Sequence, residues 1–100
     1  MDAVNLFEYR GQSFKSLCKT ARSTADVFTL PPGHDPGHEA THGGDQIIYV
    51  IEGGAVARVG GEEREVKAGD LVMIPAGTPH TLRTGKQSLF ALTILAPPQR

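Results

Sequence analysis

The sequence is poor in several features that commonly declare a function. It has one cysteine, Cys18, so no internal disulfide can form, and the chain suits a reducing cytoplasm. Ten basic residues stand against eleven acidic ones, a net charge of −1. No basic patch stands out, which makes nucleic acid and anionic membrane poor candidate partners. The longest apolar stretches, such as IIYVI (47–51) and LVMI (71–74), are far too short to span a bilayer. The start, MDAVNLFEYRG, has neither a basic n-region nor an apolar h-region, so no signal peptide is expected. No long segment carries the apolar spacing of an amphipathic helix.

What is present is punctuation. Twelve glycines and seven prolines fall between short apolar runs, the way strands and turns alternate. An early strand is expected within 13–22 and another at DVFTL (26–30), ended by Pro31-Pro32-Gly33. QIIYVIEG (46–53) is the strongest strand signal. Gly53-Gly54 and Gly60-Gly61 read as tight hairpin turns, because glycine reaches positive φ without steric cost. AVARV (55–59) lies between them. A short strand, a turn at Ala68-Gly69-Asp70 and a buried strand at 71–74 follow. HTLRT and SLFALTIL close the series. Strands spaced in this way predict an all-β sandwich or barrel. The 100 residues suffice for one domain with a modest core, so oligomerisation would help stability. The ends, 1–12 and 97–100, are weakly patterned, and are expected to be loose or swapped to a partner.

Four histidines occur, His34, His38, His42 and His80, three of them within nine residues. A histidine cluster before a strand, with another histidine far along the chain, is a normal way to build a metal site from neighbouring strands. If 38–42 is extended, His38, Ala40 and His42 share a face, and Gln46 joins it if the HGGD turn keeps phase. Glu39 and Thr41 then point away. His42, Gln46 and His80 each have a lone pair to offer a metal. Simpler roles suit the rest. His34 sits in a Pro/Gly-rich loop and is expected in solvent. Asp45 and Glu52 read as turn or rim charges, and EERE (62–65) as a solvated hairpin face. Cys18, Tyr49 and Phe90 read as core, while Met73, Phe28 and Leu92 are candidates to line a pocket.

GDLVMIPAGTPH, from Gly69 to His80, resembles the second motif of the cupin superfamily, G-x5-P-x-G-x2-H. It matches at every fixed position except the final asparagine, which falls at Thr84. THGGDQIIYVIEGG resembles the second half of the first cupin motif. On that likeness His42 takes the second histidine position and Gln46 the metal-binding acid position, while Ala40 stands where the first histidine belongs. The resemblance covers about 26–95, leaving 1–25 as an N-terminal strand or dimerisation segment of a single domain, 1–100. It implies an all-β fold of the double-stranded β-helix or jelly-roll barrel kind, with a pocket at one mouth. It implies one divalent transition metal (Zn, Fe, Ni, Mn or Cu) held by His42, Gln46 and His80. His38 would complete the shell in place of Ala40, or Glu39 if the segment kinks. A small-molecule substrate and a homodimer paired by edge strands are implied as well.

The leading expectation is a metal-dependent enzyme on a small oxygenated organic molecule, with isomerase, lyase and dioxygenase chemistry all open. As general base only Glu39 and Tyr49 offer themselves, both weakly. The competing expectation is a non-catalytic barrel that stores or senses a metal-bound or sugar-like ligand. A third is an apolar-ligand pocket with no metal. The fold does not choose among them.

Overall fold

The computed structural model describes residues 1–98. The last two residues of the weakly patterned C-terminus, 99 and 100, lie outside the described residues. Seven strands follow in order: β1 (Phe14–Lys19), β2 (Thr24–Leu30), β3 (Asp45–Val59), β4 (Glu62–Lys67), β5 (Leu71–Ile74), β6 (His80–Arg83) and β7 (Leu89–Ala96). Every pairing between them is antiparallel. A single 3-10 turn, Leu6–Tyr9, is the only helical element among the described residues.

β3 belongs to two sheets at once. Its first half sits between β7 and β5, in a sheet ordered β1-β2-β7-β3-β5. Its second half sits between β4 and β6. The result is a jelly roll whose two walls are joined through one long strand. Gly53-Gly54, expected as a hairpin turn, is the place where β3 passes from one wall to the other. A register shift between Val50 and Glu52 bends the strand there. The backbones run so close that a Cβ on Gly53 would collide with the Ser88 carbonyl oxygen, and one on Gly54 would lie 2.9 Å from Val66 O. Two glycines are thus required for passage rather than for reversal, and local sequence does not distinguish the two uses. Gly60-Gly61 is the expected hairpin, with φ of 58° and 86° between Val59 and its partner Glu62.

The core lies between the walls. Ile48, Val50, Ile74 and Ala91 from the first meet Ala55, Ala57 and Val66 from the second, with Leu89 at the join. Burying each of the large aliphatic side chains contributes roughly 1.5–3 kcal/mol. Tyr49 is not core: it alternates with buried Ile48 and Val50 and lies on the outer face beside its partner Leu71. Met73 is exposed on that same outer face, where it borders an open cleft of about 380 Å³ that holds no histidine. Phe90 is buried, and Phe7 of the N-terminal turn packs against it with ring centroids 6.4 Å apart. Arg10 forms a two-pronged ion pair with Glu52 at 2.7 and 2.9 Å, so the N-terminal segment is fastened to its own chain. β1 likewise pairs with β2 of the same chain and forms an edge of the sheet. Among the described residues no helix is long and apolar enough to cross a membrane.

Candidate functional site

His80 opens β6 in the second wall, while His42 and Gln46 precede and open β3 in the first. Sequence separation is overcome by the turn between Pro75 and Pro79. Gly77, at φ 76°, donates its N–H to His42 O at 2.8 Å, and Ala76 donates its N–H to Asp45 Oδ1 at 2.9 Å. The turn that delivers His80 is therefore bonded to the segment that carries His42. The two imidazoles come to lie with centroids 5.1 Å apart, tilted by 46°.

His80 is buried, and its Nδ1–H donates to Thr78 O at 2.9 Å. That bond fixes the proton on Nδ1 and leaves Nε2 as the nitrogen with a lone pair to offer. Gln46 is half-buried. Its Nε2 donates to Thr93 Oγ1 at 3.0 Å, while its Oε1 is buried with no partner. The amide is thus oriented with its nitrogen satisfied and its oxygen unspent, which is costly in a site that holds nothing.

His42 and Gln46 line a cavity of about 460 Å³ with Phe14, Phe28, Asp26 and Thr93. Phe28 takes the lining position expected of it. Leu92 does not: it falls between inward-facing Ala91 and Thr93 along β7 and so points to the outer face. Two other clefts of comparable size, about 490 and 380 Å³, contain no histidine. Chemistry rather than size singles this cavity out.

The remaining candidates stand apart. His38 is exposed on the bend before Ala40. Glu39 is exposed and faces Arg58, with Oε2 3.7 Å from Nε. Ala40 bridges His80 directly through two backbone hydrogen bonds. Among the described residues no three or more His, Cys, Asp or Glu side chains gather in a way that would hold a metal. What the structure sets near one another are the imidazoles of His42 and His80, while Gln46 shares a cavity with His42. Imidazole nitrogen and amide oxygen are donor types that would fit a borderline transition ion. Thr84, where the motif asparagine would stand, is buried and clamps the loop before the site. It accepts the His34 N–H at 2.8 Å and donates to Pro31 O.

Asp26 is the cavity-lining acid that sequence reasoning passed over. It is 9% exposed, lines the cavity, and its Oδ1 has no partner. The signal was available in the alternation of β2, where Thr24, Asp26 and Phe28 share the face that lines the cavity. It was masked by Val27, which is fully buried on the other face.

The family model for the cupin domain matches residues 26–95. An uncharacterized protein of Streptomyces coelicolor, SCO3923, is 33% identical over 58 residues. That alignment takes in 58% of this chain and 55% of the relative, so the chain spans about half the length of the curated relative it matches. The crystal structure of TT1209 from Thermus thermophilus is 29% identical with a TM-score of 0.82, covering 97% of this chain and 98% of that one. That of BH2720 from Bacillus halodurans is 28% identical with a TM-score of 0.87, covering 98% and 82%. The KdgF structure from a Halomonas species, 24% identical with a TM-score of 0.79 over 86% and 78%, shares the fold.

Proposed function

The chain belongs to the cupin family, and from that premise we propose that it is a metal-dependent cupin acting on a small oxygenated organic molecule. His42, Gln46 and His80 hold one divalent transition ion at the mouth of the barrel. The observation that carries this reading is the buried, partnerless Oε1 of Gln46, in an amide whose nitrogen is held by Thr93. An amide fixed in that way has its oxygen prepared for a ligand. When bound, the ion supplies Lewis acidity, polarising a carbonyl or lowering the pKa of a bound water. The protein's own part is orientation. Thr78 O fixes the His80 tautomer, Thr93 fixes the amide, and the Pro75–Pro79 turn holds the two histidines side by side. Phe14, Phe28 and Leu95 wall the cavity with apolar surface suited to a carbon skeleton.

One observation favours a second reading, a barrel that binds a ligand without reacting it. Ala40 occupies the place beside His80 and brings no donor, so the shell has three protein ligands. Metal analysis by mass spectrometry on untagged, unchelated protein tests the first reading. About one ion per chain, lost in His42→Ala and in His80→Ala with the fold intact, is the expected result. No ion after reconstitution with Fe, Ni, Mn or Zn leaves the ligand-binding barrel standing instead.

A further inference from the structure

The proposed metal accounts for one of two orphaned side-chain oxygens that the described residues place at the cavity. Gln46 Oε1 is satisfied by an ion, but Asp26 Oδ1 is not. Asp26 belongs to no group of metal-binding geometry among the described residues. It sits on β2, opposite Ser16 of β1 and Thr93 of β7, and two strands from Gln46. A carboxylate about nine-tenths buried with an unbonded oxygen is expensive, and β-sheet positions of this kind are easily filled by an apolar residue. The two proton acceptors available from sequence alone do not reach this place. Glu39 faces Arg58 outside the cavity, and the Tyr49 hydroxyl is carried on the outer face of the first wall.

We propose that Asp26 is the proton-accepting residue of the cavity, and that the molecule it acts on is a small α-hydroxy ketone or aldehyde. The inference rests on the functional reading above for the site and goes beyond it in naming the base and the substrate class. The cavity's lining matches such a molecule. Phe14, Phe28 and Leu95 cover the carbon skeleton, while the hydroxyls of Ser16, Thr24 and Thr93 meet its polar substituents. Lys19 lines the same cavity with a positive charge. In the step, the C–H bond next to the carbonyl breaks and its hydrogen passes as a proton to the Asp26 carboxylate. The electron pair enters the new C=C bond of an enolate, and the carbonyl oxygen takes the negative charge. Return of the proton to the same carbon regenerates the starting compound. Return to the neighbouring carbon isomerises it once the α-hydroxyl proton has passed to the former carbonyl oxygen, so that the old O–H bond breaks, a new one forms there, and the two oxygens exchange roles. Nothing is oxidised or reduced overall, and no co-reactant is needed.

Proton exchange reads this step without knowledge of the natural substrate. Dihydroxyacetone is incubated in D2O with metal-reconstituted protein, and loss of its C–H signal is followed by proton NMR. Metal content and circular dichroism are measured on the same samples. Wild type is expected to exchange the probe faster than buffer containing the same free ion. Asp26→Asn is expected to lose about 10²- to 10⁴-fold of that rate, the usual contribution of a positioned base, at unchanged metal content. Asp26→Glu keeps a carboxylate and is expected to retain part of the rate, which guards against a folding artefact. Exchange in Asp26→Asn within about twofold of wild type overturns the assignment, and so does wild-type exchange no faster than buffer with free ion. The wild-type to Asp26→Asn ratio is also taken on metal-free protein. A wild type that binds no ion defeats the metal reading, and this second ratio then decides Asp26 on its own.

Discussion

Ala40 and His80 lie directly opposite one another, joined by hydrogen bonds from Ala40 N–H to His80 O at 2.9 Å and from His80 N–H to Ala40 O at 3.0 Å. Opposed residues of an antiparallel pair present their side chains on the same face, with Cβ atoms roughly 4.5–5.5 Å apart. The methyl group of Ala40 therefore stands beside the His80 imidazole. Ala40→His is expected to add a third imidazole to that face and to tighten metal binding by at least about tenfold, or 1.4 kcal/mol. A competition titration against a chromogenic chelator measures it. Unchanged affinity would mean that the face shared by residues 40 and 80 is not the metal face.

Binding to the folded state alone must raise stability. At an ion concentration of about 100 times Kd the gain is about 2.7 kcal/mol. For a domain of this size each kcal/mol moves the melting temperature by about 4–8 °C, so the rise is expected to exceed roughly 10 °C. Adding a chelator should reverse it. In His80→Ala the ion should give no rise at all. The metal-free variant should itself be less stable by about 1–3 kcal/mol, because a buried side chain and its bond to Thr78 O are lost. Calorimetry with and without ion checks both statements.

Gln46 separates function from stability. Its Oε1 is a buried acceptor with no partner, so in metal-free protein it costs rather than contributes. Gln46→Leu keeps the volume and removes that atom, at the expense of the 3.0 Å bond to Thr93 Oγ1. The metal-free variant is expected to be as stable as wild type or more stable by up to about 1 kcal/mol, while metal binding is lost. Denaturant melts and metal analysis on one sample test the pair of outcomes. A large destabilisation would mean that Gln46 is a structural amide.

Much of the architecture was legible because strands and turns leave short-range marks. The run 46–53 gave a strand, Gly60-Gly61 a hairpin, and Pro31-Pro32-Gly33 the end of β2 at Leu30. The placing of Tyr49 was not legible, since Ile47 to Ile51 is apolar at every position and alternation carries no information about which side is inner. The pairing of His42 with His80 followed from family likeness, but its physical cause did not. That cause is a backbone bond from Gly77 to His42, between residues 35 apart in the chain. Asp26 was missed because a single acid in a strand looks solvated until the opposing strand is known. The second role of β3 was missed because a glycine pair has the same local signature in a turn and in a crossing.

The distinction at Gly53 can be tested directly. In a turn, positive φ is the only demand, and asparagine meets it at small cost. At Gly53 the φ of 79° is joined by a collision, since any Cβ there runs into the Ser88 carbonyl oxygen. Gly53→Asn is therefore expected to be as damaging as Gly53→Ala, each costing about 3 kcal/mol or more. Gly60→Asn, in the true hairpin, should stay within about 0.5 kcal/mol of wild type, because only the Thr78 methyl carbon lies as near as 3.4 Å. Equal and small effects of asparagine at 53 and 60 would restore Gly53-Gly54 as a turn. The predicted gap between them instead ties stability to the crossing. That crossing carries one continuous strand from Gln46 in the first wall to Val59, the partner of His80, in the second.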